Sequence, residues 1–282
     1  MKPELINQER GIALNWTADY HMHTHHSPDS RSTIAEMAAS ARLRGLSEIA
    51  ITNHFEFFPD KQEHGFTIEK FKDYEAELSE FRKQYPNAVP IRFGVEAGQP
   101  FENPSYAEEL METFSFDFVL GSVHDLGEID LYVADYTKQN LDWFCHTYLS
   151  ALFRLADECD YDCLAHLDLI KRYAAFRGLK ADLTDYPDEL AAVLKRVIER
   201  GKGIEINTSG IRQDVGEMLP GLKILKLYQS LGGEILTVGS DAHNSHDVAA
   251  DLEAGYELVK QAGFSSVCSF ENRKPTFHLI ED

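Results

Sequence analysis

Residues 19–30 read DYHMHTHHSPDS and place four histidines within six positions. An expression tag would stand at a terminus and run without interruption, whereas a metal site needs ligands that point the same way. If the segment begins as a strand, its side chains alternate between two faces, so that His21 and His23 project together and Tyr20 and Met22 project to the other face. This spacing predicts a pair of metal ligands at the end of a strand.

Strand-like apolar stretches alternate with helix-like ones along the rest of the 282-residue chain. Seven predicted strands end at His21, His54, Glu96, His124, His166, Asn207 and Asp241, and SSVCSF is a weaker eighth stretch. Helices are predicted near residues 32–44, 67–85, 106–114, 138–158, 187–200, 220–231 and 247–262. Such alternation implies a parallel sheet, and at this length a (β/α) barrel of seven strands is favoured. A doubly wound sheet is the alternative, but no G-x-G-x-x-G follows the first strand.

The domain organisation is predicted to be simple. No repeat, low-complexity segment or long Pro/Gly/Ser linker interrupts the alternation, so residues 1–282 are expected to form a single barrel domain. Residues 1–16 would be an amino-terminal extension, and residues 264–282 a carboxyl-terminal segment.

Charge and cysteine content limit the partners and the compartment. The net charge of −20 argues against nucleic acid as a partner, although bound cations could draw a small phosphorylated substrate into one pocket. Four cysteines without a C-x-x-C pair favour a reducing compartment. There is neither an apolar signal core nor a run of about 18 apolar residues, so we expect a cytoplasmic protein without a membrane partner. The sequence leaves the oligomeric state open.

The predicted strands end in polar residues, in the motifs HMH, TNH, GVE, SVH, LAHLD, EINTS and GSDAH. The carboxyl ends of all strands in a parallel barrel meet at one rim, where active sites of barrel enzymes lie. One histidine at a strand end is usually structural, but six in register favour a metal site. Imidazole and carboxylate without thiolate suit Zn, Mn, Fe or Co, and the candidates outnumber the ligands of one tetrahedral ion. We therefore expect two or three divalent ions.

The succession H-x-H, T-[ND]-H, G-x-E, S-x-H, A-H-x-D and G-S-D-A-H resembles the PHP family, named for polymerase and histidinol phosphatase domains, from Asp19 to about Asp247. The resemblance implies a distorted seven-stranded barrel with a trinuclear metal centre. The first ion would be bound by His21, His23, Glu96 and Asp241, the second by Glu96, His124 and His166, and the third by His54, His243 and a residue after the first motif. Some members have histidine where this chain has Asp29, whose carboxylate could replace it.

Within the family, the segments HLDLIKRY and INTSGIR are similar to the histidinol-phosphate phosphatases of histidine biosynthesis. The resemblance implies hydrolysis of L-histidinol phosphate to L-histidinol and phosphate, by attack of a hydroxide that bridges two metal ions. Arg172 and Arg212 would bind and neutralise phosphate oxygens. Asp241 and His246 are candidates for proton donation to the leaving group. His246 could also bind the substrate at the rim, or instead cap the following helix. Glu56 is a candidate for binding the substrate's cationic groups.

Two other functions remain open. The same centre could serve a phosphoesterase acting on nucleotides or other small phosphate esters, although the acidity and the lack of basic patches with interleaved aromatics count against a polymer. A non-catalytic metal-binding or regulatory protein would have closed coordination and no arginines at the rim. Both arginines are present, which favours a phosphatase.

Overall fold

A computed structural model describes residues 16–58 and 65–280. The strands are β1 Ala18–Asp19, β2 Glu48–Glu56, β3 Ile91–Gly98, β4 Phe118–Ser122, β5 Asp125–Leu126, β6 Ile129–Asp130, β7 Cys163–Leu164, β8 Gly203–Asn207, β9 Leu236–Gly239, β10 Ser266–Glu271 and β11 Lys274–Leu279. The helices are α1 Ile34–Leu43, α2 Ile68–Gln84, α3 Pro104–Thr113, α4 Leu141–Glu158, α5 Ile170–Phe176, α6 Pro187–Glu199, α7 Leu222–Ser230 and α8 Leu252–Gln261.

Seven parallel strands form one sheet in the order β1-β2-β3-β4-β7-β8-β9. The two edge strands meet, because the Tyr20 amide donates to the Val238 carbonyl at 3.0 Å and the His23 amide donates to the Ala242 carbonyl at 2.8 Å. An isolated parallel bridge between Met22 and Ala242 continues this seam. The sheet therefore closes into the predicted seven-stranded barrel, and the doubly wound alternative was wrong.

The seven predicted helices are all present, but their ends differ by up to five residues. Helix α5 was not predicted, since its seven residues are too few to show an amphipathic period. The eighth apolar stretch forms β10, which pairs with β11 in an antiparallel hairpin outside the barrel sheet. This hairpin makes up most of the predicted carboxyl-terminal segment, whereas residues 1–15 of the predicted extension lie outside the described residues.

Two apolar clusters form the core. The larger one packs the helices against the outside of the strands. The smaller one consists only of strand residues and their immediate neighbours, including Ala18, Tyr20, Phe118 and Phe270, and fills the barrel at its amino end. Met22 belongs to the larger cluster and Tyr20 to the smaller, so the expectation that they share a face was wrong. Strand β1 ends at Asp19, and the regular alternation stops there.

Local sequence fixes helix α1, which follows the histidine-rich segment. The Thr33 hydroxyl accepts from the Glu36 amide, and the Glu36 carboxylate accepts from the Thr33 amide, so both ends of a capping box are made. The buried residues Ile34, Met37, Ala38 and Ala41 recur at helical spacing and face the barrel. The capping box therefore fixes the point where the turn after β1 ends and α1 begins. None of the helices in the described ranges combines the length and apolarity needed to cross a membrane.

Candidate metal centre

Glu96 lies on β3 at the centre of the barrel's carboxyl rim and is fully buried. Its Oε1 atom accepts a 2.6 Å hydrogen bond from the Ser122 hydroxyl. The Nε2 atoms of His166 and His124 lie 2.8 and 3.1 Å from the same oxygen. Side chains at the ends of two strands, β4 and β7, therefore converge on one carboxylate oxygen of β3.

The second oxygen of Glu96 faces the histidines of the first two motifs. The Oε2 atom lies 3.0 Å from His21 Nε2, 3.4 Å from His23 Nε2 and 3.1 Å from His54 Nδ1. The two Nε2 atoms of His21 and His23 are themselves 3.1 Å apart. The predicted pairing of His21 and His23 on one side of the chain is therefore present.

Asp241 and Asp29 border the same group of imidazoles. Asp241 Oδ1 lies 3.4 Å from His23 Nε2 and 3.5 Å from His243 Nδ1. Asp29 Oδ2 lies 3.1 Å from His243 Nε2 and 3.4 Å from His54 Nε2. The structure thus brings together all nine residues that the sequence suggested as metal ligands.

The distances define three overlapping groups of potential ligand atoms, each within 4.8 Å of one another. The groups are His21–His23–Glu96, His54–Glu96–His124 and His23–His54–His243. In the sets inferred from the family resemblance, His54 belongs with His243 and Asp29. The structure places His54 near Asp29 as well, but also between Glu96 and His124, so it lies at the junction of two groups.

Two of these residues have unusual backbone conformations. His166 has φ +24° and Asp241 has φ +54°, in the left-handed region that residues with a Cβ seldom adopt. Such strain persists only where surrounding contacts hold it, and it concentrates at functional sites. Here it turns both side chains toward Glu96 and its neighbours.

At the centre of the cluster, burial and neighbouring charges shift the pKa values of the side chains in opposite directions. Burial alone would raise the pKa of Glu96, but the neighbouring His21, His54 and His124 hold it well below its usual range. Burial alone would lower the pKa of His21, but the charges of Glu205, Glu96 and Asp241 raise it well above the ordinary value. The carboxylates are therefore ionised and attract positive charge, which protons or metal ions can supply.

The donor arrangement fits metal ions. His21 Nδ1 donates to Glu205 Oε1 at 2.6 Å, so a neutral His21 directs its Nε2 lone pair at Glu96 and His23. Lone pairs that face each other require a proton or a metal ion between them. Donor atoms about 2.0–2.2 Å from a tetrahedral ion lie about 3.3–3.6 Å apart, close to the 3.0–3.6 Å separations between these atoms.

Glu205 and Ser209 belong to the site but were not identified from the sequence. Glu205 is fully buried on β8, and its second oxygen accepts the backbone N–H of His166 at 2.8 Å. Ser209 donates to Asp241 Oδ2 at 3.2 Å and accepts from the guanidinium of Arg172. Both residues lie in the polar strand-end motif EINTS, and the carboxylate inside strand β8 was a further signal for Glu205.

Of the other predicted site residues, Arg172 contacts the cluster, whereas Arg212 and His246 do not line the cavity. Arg172 lies on α5, almost buried, with its NH2 nitrogen 3.3 Å from Asp241 Oδ2. Arg212 instead donates to the Ser240 carbonyl at 2.7 Å and pairs with Asp251 at 3.5 Å. His246 is exposed, and its amide is bonded to the Asn244 side chain. Neither Arg212 nor His246 lines the cavity described below.

Glu56, suggested as a substrate ligand, accepts from His124 Nδ1 at 2.7 Å and so orients that ring. It also lines an open cavity of about 400 Å³, together with most of the metal-site residues. The rest of the cavity wall includes Phe66, Asp130, Tyr132, Tyr173 and Arg172. A small molecule with an anionic end, a cationic group and a ring would find complementary surfaces there.

Comparisons with known proteins agree with this geometry. A PHP domain matches residues 19–209. A protein of Clostridium acetobutylicum named probable histidinol-phosphatase is 32% identical over 264 residues, covering 90% of this chain and 97% of that protein. The histidinol-phosphatase of Lactococcus lactis is 26% identical over 259 residues, covering 91% and 95%.

The crystal structure of histidinol phosphate phosphatase from Lactococcus lactis, complexed with zinc, L-histidinol and phosphate, superposes with a TM-score of 0.80 at 26% identity. The match covers 92% of this chain and 98% of that one. The resemblance inferred from the motifs is therefore confirmed over nearly the whole barrel. Because the PHP domain match also spans more than half of the sequence, the chain belongs to the PHP domain family.

Proposed function

We propose that the protein is a metal-dependent phosphomonoesterase that hydrolyses L-histidinol phosphate to L-histidinol and phosphate, a step of histidine biosynthesis. One observation carries the proposal: nine imidazole and carboxylate side chains cluster at a cavity that the guanidinium of Arg172 also borders. The names and the bound molecules of the relatives from Lactococcus lactis and Clostridium acetobutylicum support the choice of substrate.

Two or three divalent ions, zinc first among them, are proposed as cofactors. Bound ions would supply Lewis-acid chemistry, neutralising phosphate charge and lowering the pKa of a water molecule toward about 7. The protein's part is to hold them with His21, His23, Asp29, His54, Glu96, His124, His166, Asp241 and His243. Glu205 and Glu56 orient the rings of His21 and His124 from behind, through 2.6 and 2.7 Å hydrogen bonds.

Arg172 is proposed to bind the phosphate. Ser209 and Asp241 hold one guanidinium nitrogen, and the Nε atom has no hydrogen-bond partner among the described residues. A buried guanidinium fixed on one side offers its free donors to phosphate oxygens in a preset direction. The same contact neutralises charge that develops on those oxygens during hydrolysis.

The alcohol part of the substrate is proposed to lie against the outer wall of the cavity. Tyr132 and Tyr173 have ring centroids 6.0 Å apart in an edge-on arrangement and supply an aromatic surface for an imidazole. Asp130 lines the same wall and supplies a carboxylate for a protonated amine. Substrates that lack a cationic group would lose this contact.

The test is a parallel assay of the metal-loaded protein with histidinol phosphate, nucleoside monophosphates and a chromogenic diester. We expect the highest kcat/KM with histidinol phosphate, and loss of activity with a chelator that readded zinc reverses. A preference for the diester or for nucleotides would reject the substrate. Inactivity on every substrate, with ions shown to be bound, would favour a metal-binding protein instead.

A further inference from the structure

A second group of potential metal ligands lies outside the central cluster, where the turn after β1 meets helix α2. His26 Nε2 lies 2.8 Å from Glu77 Oε2, and His25 Nε2 lies 3.2 Å from the same oxygen. The two imidazole rings are adjacent, with centroids 4.3 Å apart. The three ligand atoms lie within 4.8 Å of one another, as do those of each central group.

These separations suit one ion. Tetrahedral ligands about 2.0–2.2 Å from a metal ion are about 3.3–3.6 Å apart, and the two N···O separations of 3.2 and 2.8 Å are close to that range. The side chains of His25 and Glu77 are 39% and 38% exposed, and that of His26 is 14% exposed. An ion can therefore enter from solvent, and water can complete its coordination.

The surrounding charge also favours a cation. Asp73 lies one helical turn before Glu77 on α2, and its charge acts on His26. Glu36 interacts electrostatically with His25 from the first turn of α1. No positively charged side chain is bonded to Glu77 among the described residues, so the two imidazoles are its partners there.

An ordinary hydrogen bond between histidine and glutamate needs only one imidazole. His146 and Glu189 form such a pair on another surface, with one imidazole facing one carboxylate at 2.8 Å. At Glu77 two imidazoles from consecutive residues direct Nε2 to a single oxygen. Consecutive side chains usually diverge, and their convergence here is the observation that distinguishes the site.

We propose that His25, His26 and Glu77 form a peripheral site for a divalent transition-metal ion such as zinc, separate from the catalytic ions. The turn that contains His25 and His26 continues into Asp29, which faces the central cluster. An ion held there links this turn to α2 and stabilises the folded protein. The site needs no substrate, so it can be tested apart from the proposed phosphatase activity.

The test uses holoenzyme with its central ions already bound, dialysed against increasing zinc and then analysed for metal. Wild-type protein is expected to bind one equivalent more than Glu77→Gln or His25→Asn, and zinc is expected to raise its melting temperature more. All three proteins should keep the same kcat with histidinol phosphate. The matched control is His146→Asn, which removes a histidine from a simple His–Glu pair and should retain the extra equivalent.

Cobalt binding provides a second, spectroscopic measurement of the same site, because the visible absorption of a cobalt ion depends on its coordination. Titration of holoenzyme with cobalt should produce an additional absorption band in wild type and His146→Asn that is absent in Glu77→Gln. Equal ion counts and equal spectra in all variants would overturn the proposal. Either variant alone is sufficient for this test if the other fails to fold, since Glu77 and His25 are both partly exposed.

Discussion

Glu205 binds His21 from behind the candidate metal centre: the imidazole Nδ1 donates to Oε1 at 2.6 Å, and neither side chain is exposed. The other oxygen of Glu205 accepts the backbone N–H of His166 at 2.8 Å. A single buried carboxylate thus sets the tautomer of one potential metal ligand and the position of another. Contacts of this kind commonly tune ligand basicity and orientation.

Replacing Glu205 with glutamine should weaken metal binding. The amide keeps the shape but removes the charge that favours the Nδ1–H tautomer of His21, so metal affinity and kcat/KM should each fall by about 10–100-fold. Competition with a chromogenic chelator measures the metal affinity, and steady-state kinetics measure kcat/KM.

Glu48→Gln is the matched control. Glu48 is also buried, but it lies at the start of β2, far along the strand from His54, and binds Tyr20 and Arg92. This variant should change stability and leave metal affinity unchanged. If both variants retain wild-type affinity, Glu205 does not position His21 for metal binding.

The two arginines suggested by the sequence should differ in their effects. Arg172→Lys removes the planar fork beside Asp241, so kcat/KM should fall by about 100-fold. Arg212→Lys should leave it near the wild-type value, because Arg212 is bonded to the Ser240 carbonyl and Asp251. The measurement is kcat/KM of both variants with histidinol phosphate. An equal fall in kcat/KM for both would contradict the assignment of phosphate binding to Arg172 alone.

Asp29 should determine the number of bound ions. It is half exposed and faces His54 and His243, so Asp29→Asn should lose one ion per chain or bind it at least about 10-fold more weakly. Asp29→His should keep the ion, because imidazole can take the same place. Metal analysis after dialysis gives the count, with the exposed Asp135→Asn as control. An unchanged count in Asp29→Asn would exclude Asp29 as a ligand.

The sequence predicted the barrel and its functional rim because both depend on local periodicity. Each strand carries an apolar run and then a polar residue, and parallel strands bring those polar ends together. His21 and Asp241 are 220 positions apart, yet their motifs could be placed at one rim without knowing any distance.

The spacing of apolar and polar residues could not predict side-chain contacts that depend on three-dimensional packing. The sharing of His54 between two ligand groups follows from how far β2 reaches beside β3, which no motif records. Arg212 follows β8 just as Arg172 follows β7, but only the folded chain shows that Arg212 turns to Asp251. Glu205 was overlooked because it precedes the predicted strand end at Asn207, and its contact with His21 exists only in the folded barrel.

Asp160 should contribute a pH-dependent part of the stability. Burial alone would raise its pKa, but Arg273 and Lys202, 3.0 and 3.3 Å away, lower it. Because the folded pKa lies below the unfolded one, the stabilisation is present at neutral pH and is lost as the pH falls through the folded pKa. The side chain is 59% exposed, so Asp160→Asn should lower the free energy of unfolding by only about 0.2–1 kcal/mol at pH 7. Urea unfolding from about pH 7 to about pH 3 should show this difference shrinking, and a constant difference would exclude an ionic origin.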